Sequence, residues 1–425
     1  MILILGATGL IGTHVAARLA RAGHPVLGVA RDIDGARRRS PGMAWARADL
    51  RHTTAEEWAG LLDGVHAVVN CAGALQDAPG DSLSAVHADG LRHLVQACEA
   101  RGVRRFVHLS AAGVAVGRET AFNATKLAGE MMLERSALDW VILRPGLVLA
   151  PTAYGGSALL RGVAGFPGCI PLAWPDATVQ AISVEDVAEA VLRALDGPAR
   201  LRLDLVHAEP WPLRRLLPEL RRWLGLRPAR VIPLPAPLAW AAGRVADGLA
   251  WLGWRSPMRS TALEQLRQGI EGKPADAQRA LGRQPLSVPA MLAGWPAGVQ
   301  ERWFARLYFL KPAMLGVLAG FWLISGIIGL LNVEGAATVL DEWPEEAAWW
   351  AVVGGSVVDI ALGLAVMWRR AAGWALAGML VVSAGYLLGG TLLRGDLWLD
   401  PLGPFLKIIP AAFLALAALA VLDDR

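Results

Sequence analysis

The sequence predicts two structural classes in one chain. An α/β part, built on a doubly wound parallel sheet with a small helical lid segment, is followed by an all-α four-helix transmembrane bundle. Three observations predict this. The chain opens on an apolar strand, a glycine-rich turn and an apolar-periodic helix, "ILILGATGLIG". Strand-like and helix-like segments then alternate up to about residue 205. Beyond Lys311 charge nearly vanishes, and long apolar windows follow one another.

Composition sets the outer bounds. At 425 residues there is room for two or three domains, and 54% hydrophobic residues with a mean hydropathy of +0.40 exceed what a soluble protein carries. The net charge is +4, and arginines cluster at Arg37–Arg39, Arg214-Arg215, Arg221-Arg222 and Arg369-Arg370, with acids interspersed elsewhere. Such clusters read as solvated faces and membrane-side anchors rather than a nucleic-acid surface. Cys71, Cys98 and Cys169 are too far apart for a disulfide framework or a metal site, and they suit a reducing compartment. The opening reads as strand and turn rather than as a charged n-region and cleavage site, so no signal peptide is expected.

The turn Gly6-Ala7-Thr8-Gly9-Leu10-Ile11-Gly12 lets backbone amides and a helix N-terminus approach a pyrophosphate. The second strand, "HPVLGVAR", ends at Arg31. An arginine there suits the 2′-phosphate of NADP(H), which is favoured over NAD(H), although Asp32 beside it suits the ribose hydroxyls instead. Further strands read at Ala44–Ala48, Ala67–Cys71, Arg105–Ser110 and Trp140–Leu143, with helices near Thr54–Leu62, Asp81–Arg101 and Thr120–Arg135. This alternation implies the parallel sheet.

With GATGLIG, "ADL" at Ala48–Leu50, "NCAG" at Asn70–Gly73, "HLSAAG" at His108–Gly113, the lysine of "FNATK", "RPGLV" at Arg144–Val148 and "ISVEDVAEA" at Ile182–Ala190, the first three hundred residues resemble the short-chain dehydrogenase/reductase superfamily. The likeness is nearest to its extended and atypical members. The resemblance implies a Rossmann fold binding NAD(P), with Gly6, Thr8, Gly9, Leu10, Ile11 and Gly12 in the phosphate turn. It implies that Asp49 and Leu50 flank the adenine, and that Ala72 and Gly73 line the ribose, with Cys71 and Ser110 of the same motifs beside them. Lys126 would contact the nicotinamide ribose, with Pro145 and Val148 next to the ring. The tail resembles the DoxX-like membrane domains. Domain limits follow as 1–205, 206–304 for lid and connector, and 305–425.

Set against that family pattern, the catalytic positions are depleted. The tyrosine that exchanges the substrate proton is replaced by Phe122, and the carbonyl-orienting serine by Ala112. Lys126 remains, one of only four lysines among 41 basic residues. It reads as a ribose clamp or as a base of lowered pKa. A lost general acid costs about 10²–10⁴ in rate. Tyr154, in "PTAYGGSALL", is the candidate substitute, and His108 reads as buried structure.

Between the two parts, helical runs alternate with prolines and carry Trp211, Trp223, Trp240, Trp251 and Trp254. Either a packed cap or a membrane-interface segment fits. The expected spans are Ala313–Leu331, Ala347–Trp368, Ala371–Leu393 and Leu402–Leu422. Arg302, Arg306, Lys311, Arg369 and Arg370 flank one side and an acidic loop the other, which places both termini and the N-terminal part on the cytoplasmic side of the inner membrane. Asp359 lies mid-span, as a proton or head-group contact or as an interhelical hydrogen bond to Ser383 or Tyr386. Lys407 sits near a helix end, and Gly354-Gly355 and Gly389-Gly390 read as close packing.

The expected partners are the lipid bilayer and a hydrophobic small molecule, not nucleic acid; a homo-oligomer or a membrane partner protein stays open. Two functions fit. One is a membrane-anchored NAD(P)H-dependent oxidoreductase acting on a quinone- or lipid-like substrate. The other is a non-catalytic NADP(H)-binding structural or sensing module. A transporter has only Asp359 to support it.

Overall fold

The structure is a computed structural model, and it describes residues 1–77, 82–114, 120–254, 256–340 and 343–423. Contacts divide the chain into two compact units, Met1–Asp247 with Ser256–Ala305, and Gly248–Arg255 with Arg306–Arg425. Residues 206–304 do not form a unit of their own.

In the first unit β1 (Ile2–Leu5), β2 (Val26–Ala30), β3 (Ala44–Arg47), β4 (Ala67–Asn70), β5 (Arg105–Leu109), β6 (Asp139–Pro145) and β11 (Leu201–Leu205) form one parallel sheet in the order β11-β6-β5-β4-β1-β2-β3. The order reverses between β1 and β4, which opens a crevice at the strands' C-terminal ends. Helices α1 (Leu10–Arg21), α2 (Ile33–Arg39), α3 (Ala55–Leu61), α4 (Gly90–Arg101) and α5 (Ala121–Glu134) connect the strands. A π-helical turn, Ala85–Asp89, precedes α4.

Buried β1 explains the continuous apolar run that opens the chain. Ile2 and Ile4 pack on one face with Val15 and Leu19 of α1, while Leu3 and Leu5 pack on the other with Trp58, Leu91 and Leu94. Successive side chains of a strand point to opposite faces, so a strand covered on both sides must be apolar throughout. Each such side chain contributes about 1.5–3 kcal/mol by leaving water. The first cluster is completed by α7 (Val184–Asp196).

The remainder of this unit caps the sheet's edge. It contains β7 (Leu147–Leu149), α6 (Gly155–Ala164), β8 (Cys169–Leu172), β9 (Thr178–Val179), β10 (Ala181–Ser183), β12 (Trp211–Pro212), α8 (Leu213–Trp223) and β13 (Arg230–Pro233). Three two-stranded pairings, β7 with β10, β8 with β13 and β9 with β12, tie them together. Leu213, Leu216, Leu217 and Leu220 form the i, i+3, i+4, i+7 stripe of α8 that fills this layer. Then come α9 (Ala236–Trp251), α10 (Ser260–Gln268), α11 (Pro274–Leu281) and α12 (Val288–Gly294). The tryptophans divide: Trp211 is buried, Trp223 donates to Trp295 O at 2.8 Å and Trp240 meets Trp174, whereas Trp251 is 77% exposed.

The second unit holds most of α13 (Val299–Leu331), then α14 (Val333–Ala337), α15 (Glu345–Met367), α16 (Ala372–Leu393) and α17 (Pro404–Ala420). Among the described residues α13, α15 and α16 are long and apolar enough to cross a membrane. The expected fourth span is shorter, 17 residues, because Gly403, at φ 56°, and Pro404 start the helix late. The first is longer than expected, running without a break from the basic connector. Tyr386 Oη and Ser325 Oγ donate to Asp359 at 3.1 and 3.4 Å, and Ser383 is buried without joining them. A side chain on Gly390 would meet the Phe405 ring and one on Gly355 the Tyr386 hydroxyl, while Gly354 and Gly389 face open space.

Candidate cofactor and active site

The phosphate turn is a cradle that only glycine fits. Gly6 has φ 67°, and a Cβ there would come within 2.8 Å of the Ala72 amide. A Cβ on Gly12 would lie 2.1 Å from Gly6 O, so α1 sits tight against the strand end. Gly9 caps α1 with no side chain over it, and Thr13 Oγ1 donates to Gly9 O at 2.8 Å. Thr8, Leu10 and Ile11 are half-buried at this mouth. The open helix N-terminus and the glycine clearances fit a bound pyrophosphate.

At the end of β2, Arg31 is exposed, and its charge helps hold the Asp49 carboxyl below the usual range, after the larger effect of Arg51. Asp32 caps α2, accepting from the Gly35 amide at 3.0 Å, and this bond holds its carboxyl low. Asp49 accepts from Arg51 Nε at 2.9 Å, and its own amide donates to Thr53 Oγ1. The Leu50 side chain is in the core, and its carbonyl lies where Gly90 leaves no room for a Cβ.

Across the crevice, Asn70 is buried. Its Oδ1 accepts from the Ala72 amide at 3.0 Å, which leaves Nδ2 to donate to His108 Nδ1 at 3.2 Å. His108 Nε2 therefore carries the proton, and it has no partner among the described residues; nor does Ser110 Oγ. His108 is buried structure, held neutral by desolvation. Burial raises the Cys71 thiol to about 12.

Lys126 is 4% exposed, and its ammonium donates to Leu109 O at 2.9 Å. Gly73 covers it: a Cβ there would be 3.3 Å from Nζ and 3.6 Å from His87 Nε2. Desolvation lowers the lysine's pKa to about 8, against opposing effects of Glu130 and Cys71. Glu130 itself is fully buried and is bound by both nitrogens of the Arg144 fork, Nε donating at 2.9 Å.

His87 is the residue that sequence reasoning missed. The π-helical turn points it under the loop after β4, where Nε2 accepts from the Ala74 amide at 3.1 Å. Its Nδ1 must then carry the proton, and donates to Thr125 Oγ1 at 2.9 Å. Thr125 passes its own hydrogen to the Ala121 and Phe122 carbonyls. Both imidazole nitrogens are committed, and burial with the nearby Lys126 charge lowers its pKa to about 3. The Phe122 ring stands edge-on to His87, centroids 5.7 Å apart. Ala112 is buried, its amide donating to Pro145 O at 2.9 Å.

Gly6, Cys71, Ala72, Gly73 and Lys126 are thus brought together, with Ser110 and Pro145 at the adjoining strand ends and half-buried Val148 on β7. Tyr154 stands at the start of α6, where its amide donates to Ser157 Oγ at 3.2 Å. The lid reaches the site through polar bonds. Gln265 Nε2 donates to Thr120 Oγ1 at 2.6 Å, and Gln76 Nε2 to Asp247 Oδ1 at 2.8 Å. Arg259 Nε donates to Asp247 Oδ1 at 3.0 Å, and its Nη2 to Asp77 O at 2.8 Å.

Residues 6–198 match a family described as NAD(P)H-binding. The first unit carries an NAD(P)H-binding domain with the fold of solved short-chain dehydrogenase/reductase proteins. Residues 319–416 match the DoxX-like family, so the chain joins these two domains. Among curated relatives, the 3-diazoavenalumate denitrifying reductase of a Streptomyces species is 28% identical over 268 residues, 56% of this chain and 87% of the relative. Sterol demethylase protein B of Methylococcus capsulatus is 26% identical over 71% of this chain and 98% of its own. The NADPH complex of an Escherichia coli NADPH-dependent quinone oxidoreductase superposes with a TM-score of 0.54 at 20% identity, covering 69% of this chain and 99% of that one. It shares the fold.

Proposed function

We propose that this protein is a membrane-anchored, NAD(P)H-dependent oxidoreductase that reduces a hydrophobic, quinone- or lipid-like substrate, with Lys126 taking over the proton work of the absent tyrosine. The observation that carries this reading is the buried Lys126 ammonium beneath Gly73, in a row with the glycine cradle. When bound, the nicotinamide supplies a hydride. Gly6, Gly9 and Gly12 and the first amides of α1 would hold the pyrophosphate, and Ala72 and Gly73 would line the ribose. Arg31 would meet the 2′-phosphate of NADP(H), and Asp32 is spent on capping α2.

Lys126 Nζ would hold the ribose hydroxyls of the bound nucleotide and would supply the proton that the reduced substrate's oxygen takes up. Desolvation readies it for this, because an ammonium of pKa about 8 releases its proton more readily than one near 10.5. His87 holds the loop after β4 in place, and its neutral imidazole adds no charge to compete with Lys126. Phe122 and Ala112 give the substrate end an apolar wall, consistent with a lipid-like substrate. The sterol-related relative and the apolar helices support a substrate drawn from the bilayer. The basic flanks of the spans support a cytoplasmic side for the N-terminal unit.

Phe122 and Ala112 also favour the second reading, a nucleotide-holding module without turnover. The two are separated by single-turnover mixing of stoichiometric NADPH with carbonyl and quinone substrates in detergent. Oxidation in the wild type and its loss in Lys126→Met supports the enzyme. Tight NADPH binding with no oxidation across the panel supports the module.

A further inference from the structure

Asp359 of α15 is a buried carboxyl group with no part in the nucleotide site. It is 6% exposed, and along the helix axis it lies about 21 Å from Glu345 and about 12 Å from Met367, deep in the apolar stretch. A carboxyl group at that depth is costly and needs partners. Two other helices supply them. Tyr386 Oη of α16 donates to Oδ1 at 3.1 Å, and Ser325 Oγ of α13 donates to Oδ2 at 3.4 Å. Buried Ser356 and Ser383, one helical turn before Asp359 and Tyr386, add two further hydroxyls. Serine, threonine or an amide ties membrane helices together at lower cost, so a carboxyl group is more than a tie requires. A carboxylate also has about four acceptor positions, and two donors leave room for a third.

The surroundings of this group are closed toward one helix and open beside another. Toward α13 there is no space. A Cβ on Gly326 would collide with Ser356 O and one on Gly329 with Ser356 Oγ, so α13 and α15 meet backbone to side chain. On the α16 side the packing stops. Tyr386 is 41% exposed, and a Cβ on Gly385 beside it, or on Gly389 one turn further, would meet nothing within 4 Å. Gly355, where a Cβ would come 3.1 Å from Tyr386 Oη, lets the phenol lie across α15 to reach the carboxyl group. The exposed phenol ring therefore borders the side from which a molecule in the bilayer can approach Asp359.

We propose that Asp359 and Tyr386 bind the hydroxyl group of a bilayer-dissolved lipid, at a site in the DoxX-like domain separate from the nucleotide site. The inference rests on the second unit being membrane-embedded. A hydroxyl both donates and accepts, so it pairs with Asp359 whether that group is a carboxylate or a carboxylic acid. In hydrocarbon such a hydroxyl has no partner, and leaving it unpaired is unfavourable. At Asp359 it gains one, while the apolar body of the lipid packs on the Tyr386 ring and stays among the acyl chains.

The test uses the full chain in nanodiscs with two photoreactive probes, a long-chain alcohol and the matched alkane, each carrying a diazirine in mid-chain. Adducts are mapped by peptide mass spectrometry, with no nucleotide added, so the outcome is independent of turnover. The alcohol is expected to label the segments around Asp359 and Tyr386 severalfold more than the alkane does, and that excess is expected to vanish in Asp359→Leu and in Tyr386→Phe. Equal labelling by the two probes in the wild type overturns the proposal, because it means ordinary lipid contact; this comparison stands even where a variant misfolds. An excess that survives in both variants overturns it as well. The alkane is expected to label α16 at its outward Val381 and Leu392. No alkane adduct on α16 overturns the membrane reading itself, and the proposal with it.

Discussion

Lys126 sits where water is excluded and yet keeps a hydrogen bond to Leu109 O, so its protonation state decides what the site can do. Its pKa falls from 10.5 to about 8. Below that pH it is an ammonium able to hold the ribose and give a proton; above it the amine is neutral. Turnover is therefore expected to decline as pH rises through about 8, with Lys126→Arg removing that limb along with most of the rate. A pH profile still flat to 10 contradicts the assignment. Gly12→Ala places a methyl 2.1 Å from Gly6 O, and overpacking of this kind costs about 1–3 kcal/mol. It is expected to abolish nucleotide binding by fluorescence titration before it unfolds the unit; binding unchanged from wild type counts against the cradle. At this scale the glycines and Lys126 were legible because their chemistry is local. His87 was not, because its role comes from a π-turn bringing it under a loop thirteen residues back. The packing of the Leu50 side chain in the core with Leu91 and Leu94 of α4 was likewise not legible, because it comes from the end of β3 meeting a helix forty residues on.

Among the elements, the π-turn and α5 carry a pH-sensitive joint. His87 titrates at about 3 when folded and near 6.5 when unfolded, so the unfolded chain binds more protons between these values. Stability is full above 6.5 and falls as pH drops through the window, by about 2 kcal/mol at pH 5. Thermal melts of the full chain in detergent across pH 4–8 are expected to show this slope, flattened in part in His87→Gln, with buried His108 supplying the rest. Identical slopes in the two proteins count against it. A second joint is the buried Glu130–Arg144 pair, where Glu130→Ala leaves an uncompensated charge and is expected to cost about 3–5 kcal/mol. The strands and helices of the sheet were readable from period and glycine placement to within a few residues. The pairings of β7 with β10, β8 with β13 and β9 with β12 were not, because strands of two to four residues have too few side chains to show alternation.

At the level of the molecule, the sequence divides into a charged half and an apolar one, and the structure contains a parallel sheet and a helical bundle. The return of Gly248–Arg255 to the second unit was hidden, because a short helical end carries no signal of the partner it packs on. The expected orientation makes a checkable contrast. In intact cells, Gly335→Cys in the short helix α14 after α13 is expected to react with an impermeant maleimide, and Arg370→Cys only after lysis. The reverse pattern puts the nucleotide site on the wrong side of the membrane for NAD(P)H. The most direct measurement of the central claim is on the detergent-purified full chain: titrate NADPH and NADH by fluorescence, then follow absorbance at 340 nm with short-chain quinones and a carbonyl panel. The account predicts tighter binding of NADPH, with that preference lost in Arg31→Ala, and oxidation that disappears in Lys126→Ala. Turnover that survives in Lys126→Ala, or no binding of either nucleotide, would contradict it.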